Sequence, residues 1–278
     1  PYRRQRQMCI RDRTWGAQGR SEVWVGEQSG KTQDRGEVVP ATDCVVACAS
    51  VAPKGNKKYV ALTFDEGPSG ATKQILQVLK EKGVTATFFL SGDAAEASPA
   101  TAKAIVDAGC EIGSNSYSDD SLKGQDREAV REQITKGTDA IKSATGVKTM
   151  LLRAPYAAFD EQNWIDAMDL VSAVVSWNID SGDWLLNGVD EQVSTVLDSV
   201  TPGNIVLLTD RDECAEQTLE ALPQIIDGLI ADGYKIVTLS DLVKTDTALS
   251  KKPTSLTKVT MPKDAVFPQL AEDEDTTE

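Results

Sequence analysis

The chain has 278 residues, enough for one sizeable domain with extensions, and 40% of them are hydrophobic, enough for a packed core. Its formal net charge of -14 argues against nucleic acid, whose phosphates need a basic surface, and against a strongly anionic glycan unless a local basic groove overrides it. It contains no histidine, which excludes Ser-His-Asp and Cys-His mechanisms and any His-ligated zinc site.

Pro1 to Arg13 (PYRRQRQMCIRDR) look like translated sequencing-adapter sequence, and a start at Pro1 reads as a fragment whose signal peptide or anchor lies upstream. The stretch up to Asn56 is polar, Gly-rich and aperiodic apart from the apolar patch Cys44 to Val51, as in a linker or stalk. Cys44 and Cys48 suit a local disulfide outside the cell or two reduced thiols, and no CxxC pair supports a zinc ribbon. No apolar run is long enough to span a membrane.

From Lys57 short β-branched runs alternate with amphipathic stretches, which predicts an α/β domain with a mostly parallel sheet. The strands expected are 59–64, 86–90, 110–113, 149–152, 171–175, 204–208 and 234–237. The helices expected are 71–82, one opened by Ser98-Pro99 and closed at Gly109, 126–144, 190–199, 214–231 and a short one from Ser240. Cys110 is expected buried beside its strand, and Trp164 to pack a helix on the sheet. Seven strand-plus-helix units without a Gly-rich phosphate loop suggest a barrel-like fold rather than an open dinucleotide-binding sheet. After Lys244 the chain loses periodicity and ends in the acidic run Glu272 to Asp275, as in a solvated, disordered tail.

Barrels of this kind carry chemistry at the C-terminal ends of their strands. Polar and aromatic residues cluster there: Asp65 and Glu66, Ser114 to Asp119, Arg153 to Tyr156, Trp177 to Trp184, and Thr209 with Asp210. Asp210 carries no sign in the sequence of being held protonated.

In order, TFDEGP (63–68), SNSYSDD (114–120), RAPY (153–156), DSGDW (180–184) and IVLLTD (205–210) resemble the five motifs of the polysaccharide deacetylase (NodB-homology) domain, carbohydrate esterase family four. The likeness spans roughly Lys58 to Val243. It implies a distorted (β/α)7 barrel at 58–244, between an N-terminal segment (1–57) and a tail (245–278). It implies a divalent-metal-dependent removal of acetyl groups from glycans, and a secreted or surface-anchored location.

Carried over residue by residue, the resemblance makes Asp65 the base and Arg153 its steadying partner. The backbone N–H of Tyr156 becomes an oxyanion donor and Asp183 the support of a catalytic histidine. Tyr156, Trp177, Trp184 and Leu207 would contact substrate. The departures fall on the histidines. Thr209 stands where the family's proton-donating histidine stands, and a hydroxyl cannot protonate a leaving amine near neutral pH. Asn115 and Asp119 stand where two metal-ligating histidines stand. Glu66 replaces an aspartate, and Ala157 replaces a glycine in the turn after Tyr156. Glu66, Asn115 and Asp119 would give an oxygen-only site suited to Mg, Mn or Ca rather than Zn, unless these are ordinary loop polars and no metal binds.

Three readings follow. The first is a catalytically impaired domain that binds an N-acetylated glycan such as peptidoglycan. The second is an active hydrolase with an oxygen-only metal site. The third is a structural domain of a cell-surface protein.

Overall fold

A computed structural model of the chain describes residues 22–25, 53–55, 57–159, 161–167, 169–171, 173–245 and 257–260. The expectations for Pro1 to Arg13, for Cys44 and Cys48, for the Trp164 side chain and for the acidic tail lie outside them. Outside residues 58–244, β1 (Glu22–Val25) and β10 (Thr257–Thr260) pair antiparallel with each other.

Strand β2 (Tyr59–Asp65) organises the rest. Its run Val-Ala-Leu-Thr-Phe is continuously buried, as a strand covered on both faces must be. It pairs in parallel with β3 (Thr87–Leu90), β8 (Ile205–Thr209) and β9 (Lys235–Ile236). Beyond β3 come β4 (Glu111–Ser114), β5 (Leu151–Leu152) and β6 (Ala173–Val174); beyond β8 comes β7 (Ile179–Asp180). The order β6-β5-β4-β3-β2-β8-β7, with β9 on β2, makes an eight-stranded parallel sheet whose end strands do not pair with each other. It is a curled half-barrel, the α/β architecture expected, but with eight strands rather than seven.

Strand alternation sends every second side chain to the same face. Val60, Leu62 and Phe64 of β2, Phe88 and Leu90 of β3, and Val206 and Leu208 of β8 join one core cluster with helix residues. That cluster takes Ile75 and Leu79 from α1 (Thr72–Lys82), Ile105 from α3 (Pro99–Asp107), and Ile225 and Leu229 from α7 (Ala215–Ala231). Phe64 and Phe88, opposite each other in register, stack at 4.9 Å. The other face carries Ala61, Phe89, Ile205 and Leu207, with Trp177, Val237 and residues of α8 (Leu239–Lys244). On that same inner face alternation places Thr63, Asp65 and Thr209. Burying each aromatic or branched side chain in these layers stabilises by about 1.5–3 kcal/mol.

Besides β1 and β10, three elements between residues 58 and 244 escaped the sequence pattern: α2 (Gly92–Ala97), α5 (Glu161–Ala167) and β7. Each is short, so none spans enough residues to show a period. β5, β6 and β9 are two residues each, because their register pairs only that much of the longer apolar runs. Helix α4 (Arg127–Thr145) begins on Asp126, whose carboxylate accepts from Ala129 N–H at 2.9 Å. α6 (Val189–Leu197) completes the outer layer.

α4 also sets the loop after β4. A Cβ on Gly137 would lie 2.5 Å from the carbonyl carbon and oxygen of Ser116, so only glycine lets the helix approach this closely. Alanine favours helix over glycine by about 1 kcal/mol, but the overlap is with backbone and cannot rotate away. Gly137→Ala is therefore expected to lower stability by about 1–3 kcal/mol in urea unfolding, as overpacking does. An unchanged midpoint would show that the loop yields freely.

Candidate active site

All strands of the sheet run the same way, so their C-terminal ends lie together and the five sequence clusters meet there. At the centre is Arg153, just past β5 and wholly buried. Its Nη1 donates to Asp65 Oδ1 and to Thr63 Oγ1, both at 2.7 Å. Nε and Nη2 donate to the carbonyls of Val175 and Ser176 at 3.2 Å. The guanidinium lies 4.2 Å from the Phe89 ring centroid and 5.5 Å from that of Trp177. Burial lowers the Arg153 pKa, and the Asp65 charge opposes that effect. Arginine suits the position because its planar fork can satisfy four acceptors while remaining charged.

A second centre forms around Asp183, in the short turn of 3-10 helix 183–185. Its carboxylate accepts from Thr209 N–H at 2.7 Å, Thr209 Oγ1 at 2.9 Å, Trp184 N–H at 2.9 Å and Thr218 Oγ1 at 3.0 Å. Trp184 Nε1 in turn donates to Asp180 Oδ1 at 3.0 Å. Burial pushes the Asp183 carboxyl up to about 6; the bond from Thr209 N–H pulls it back and the Asp180 charge adds to the rise. The Thr209 hydroxyl is thus tied to Asp183.

The third centre gathers Glu66, Asp119 and Tyr156, and with them Arg211, which no motif had singled out. Glu66 stands at φ 75°, Ser116 at 64°, Tyr156 at 59° and Ala157 at 53°, all in the left-handed region that side chains avoid. Four strained residues in three of the site's loops mark it as a built arrangement. Arg211 donates from Nη2 to Asp119 Oδ2 at 2.5 Å and pairs through Nε with Glu66 Oε2. Tyr156 donates its hydroxyl proton to the Asp119 carboxylate, and its Oη lies 3.0 Å from the Asp119 carbonyl oxygen. Asn115 is engaged elsewhere: its Nδ2 donates to the Arg153 carbonyl at 2.7 Å.

This geometry differs from the oxygen-only metal site expected at Glu66, Asn115 and Asp119. Two of the three share a guanidinium, and the third braces the Arg153 backbone. A divalent ion would sit against a fixed positive charge, so the residues as arranged do not fit a metal. Among the described residues no group of three or more His, Cys, Asp or Glu converges as a metal-binding set.

Asp210 is fully buried, and burial raises its pKa, unlike the unremarkable group expected. Ser69 Oγ and Thr72 Oγ1 donate to its two oxygens, both at 2.6 Å, so it ties the first and fifth loops together. A Cβ on Gly67 would fall 2.2 Å from Asp210 Oδ2, which explains the glycine there. Of the four side chains expected to meet substrate, Tyr156 and Trp184 are half-buried at the site. Trp177 and Leu207 are 4% and 2% exposed, inside the inner-face core. Cys110 is buried as expected; Cys214 is buried too, its thiol pushed up to about 12 by burial first, and so inert.

The sequence did hold a signal for Arg211. It follows the last strand-end acid directly, in a chain whose strand ends are crowded with carboxylates. Thr218 could not be found that way, because it reaches Asp183 from the first turn of an amphipathic helix.

Residues 52–171 match the family described as polysaccharide deacetylase. A bifunctional xylanase/deacetylase of Pseudobutyrivibrio xylanivorans is 36% identical over 67% of this chain and 31% of its own length. A peptidoglycan-N-acetylglucosamine deacetylase of Bacillus cereus is 32% identical over 77% of this chain and 79% of its own. The chain therefore spans less than a third of the first of these relatives. A peptidoglycan N-acetylglucosamine deacetylase crystal structure superposes with TM-score 0.66 at 31% identity, covering 72% of this chain and 94% of that one. A CE4-family pseudoenzyme of Bacillus anthracis gives TM-score 0.63 at 30% identity, covering 71% and 70%. A mutant of that pseudoenzyme with restored enzymatic activity has the same fold.

Arg153→Met would leave the Asp65 carboxylate buried without its cation, and is expected to lower stability by about 3–5 kcal/mol in urea unfolding. Adding Asp65→Asn should recover part of that loss; strict additivity of the two would show that the pair is not coupled. Asp183 makes a pH prediction. Its folded pKa lies above the usual 3.8, so the folded protein holds more protons than the unfolded chain between about pH 4 and 6. Its contribution to stability therefore falls as pH rises through that window, by up to about 3 kcal/mol. Asp183→Asn should flatten that part of the stability profile, and an unchanged slope would place the carboxyl in its ordinary range.

Proposed function

The chain belongs to the polysaccharide deacetylase family, and from that premise we propose that it is a catalytically impaired member that binds an N-acetylated cell-wall-type glycan. The observation that carries this reading is Thr209. It occupies the position of the family's proton-donating histidine, and its hydroxyl is spent on Asp183. Losing one general acid lowers a rate by about 100- to 10,000-fold. Asp65, Arg153 and Asp183 keep family positions, with a geometry that remains ordered although the histidines around them are replaced.

Binding falls to the surface that stays accessible. Tyr156 and Trp184 offer half-buried aromatic faces, which suit the apolar faces of sugar rings, and nearby carboxylates and Arg211 offer groups for hydroxyls and acetamido oxygens. The family's metal would supply a Lewis acid in an active member, and here Arg211 already engages two of the expected ligands. We place the folding unit at 58–244, with 1–57 as a stalk and 245–278 as a tail, and the protein outside the cytoplasm. The deacetylases it resembles act on peptidoglycan, as their names state. Among the described residues no helix is long and apolar enough to cross a membrane.

The test is acetate release and glycan affinity measured on one preparation of the full chain. With N-acetylglucosamine oligomers and peptidoglycan, acetate release is expected to stay at background with Zn, Mn or Mg. Calorimetry should give a dissociation constant that Trp184→Ala weakens by about tenfold, or about 1.4 kcal/mol. Metal-dependent turnover by the wild type would establish the hydrolase reading instead, and absence of both turnover and binding would leave the structural-domain reading. Asn115→His with Asp119→His and Thr209→His, together with Arg211→Gln to free Glu66, should restore zinc-dependent acetate release.

A further inference from the structure

We propose that Arg211 is a built-in cation that takes the place of a metal ion between Glu66 and Asp119, and that divalent metals and this guanidinium are mutually exclusive partners of the two carboxylates. This goes beyond the glycan-binding reading and does not depend on it.

Three loops supply the arrangement: Glu66 follows β2, Asp119 follows β4 and Arg211 follows β8. Asp119 and Arg211 are 92 residues apart in sequence, so only the sheet brings them together. A fourth loop adds the Tyr156 hydroxyl, on the same Asp119 carboxylate that Arg211 engages. The carboxylates are 14% and 28% exposed and the arginine 33%, so water screens the group only in part. Without a cation, two partly shielded carboxylates would repel each other at the site.

The identities of the residues fit this exchange. A neutral imidazole serves a metal but offers little to a guanidinium, whereas a carboxylate at 119 suits one well. Asp119 and Arg211 therefore make chemical sense as a pair. Asp119 Oδ1 is buried and makes no hydrogen bond among the described residues, so acceptor capacity remains at the site. A guanidinium stays charged at every physiological pH and needs no metal supply. It cannot exchange ligands or activate a bound water, so the site keeps a positive charge for an oxygen-bearing ligand without the family's metal chemistry.

The experiment uses the tag-free full chain, stripped with chelator, and follows melting temperature and calorimetric heats with Mn, Zn, Mg and Ca ions. Wild type is expected to show no melting shift and no saturable heat at millimolar metal. Arg211→Gln should melt lower without metal, then bind Mn or Zn at least about 100-fold more tightly than wild type and regain melting temperature. Glu66→Gln in that background should abolish the gained binding. Arg211→Lys, which keeps the charge, should exclude metal as wild type does. Stoichiometric metal binding by wild type tighter than about 10 µM overturns the proposal. So does an Arg211→Gln protein that folds and gains no metal affinity. If Arg211→Gln does not fold, the wild-type and Arg211→Lys titrations decide the matter: binding by either one overturns it.

Discussion

Six carboxylates, those of Asp65, Glu66, Asp119, Asp180, Asp183 and Asp210, gather where the strands of the sheet finish, and their mutual repulsion is the constraint the site has to meet. Each is met differently. Asp65 faces the buried Arg153, Asp210 is held by two hydroxyls, and Asp180 accepts from Gly182 N–H and Trp184 Nε1. Asp183 collects four donors, yet burial still raises its pKa. Glu66 and Asp119 share Arg211. Two arginines, Arg153 and Arg211, carry much of the opposing charge, and the loops are arranged around them.

The sheet makes this possible by alternation. The residues that close the outer core, such as Phe64 and Leu208, neighbour the residues that face inward, Asp65 and Thr209. A one-residue shift of β2 would bury Asp65 among the helices and expose Phe64 at the site. The same pairing that stabilises the fold therefore fixes the positions of the chemistry. The Arg153 guanidinium, packed between Phe89 and Trp177 and bonded to two carbonyls, ties β5 and the segment after β6 to β2.

Much of this was legible in the sequence, for a physical reason. In a parallel sheet the C-terminal strand ends coincide, so polar clusters after apolar runs, such as 65–66 and 209–210, announce a shared site. The resemblance then gave each cluster a role. What stayed hidden depends on side-chain direction or on short range. β7 is two residues inside a polar motif, and α2 and α5 are too short to show a period. Trp177 looked like a sugar platform because aromatic residues at strand ends often are, but its ring is enclosed under Arg153. The resemblance made Asn115 and Asp119 candidate ligands because they stand where the family's paired histidines stand, yet Asn115 donates to a backbone carbonyl and Asp119 pairs with an arginine. Arg211 follows the strand-end acid Asp210 directly, but its distant partners, Glu66 and Asp119, come to it only through the sheet.

Diffraction from crystals grown with excess Mn, recorded where manganese scatters anomalously, tests the central claim most directly. The account predicts no anomalous peak between Glu66 and Asp119, with the Arg211 guanidinium bonded to both. A peak coordinated by those two carboxylates, with Arg211 turned out to solvent, would contradict it.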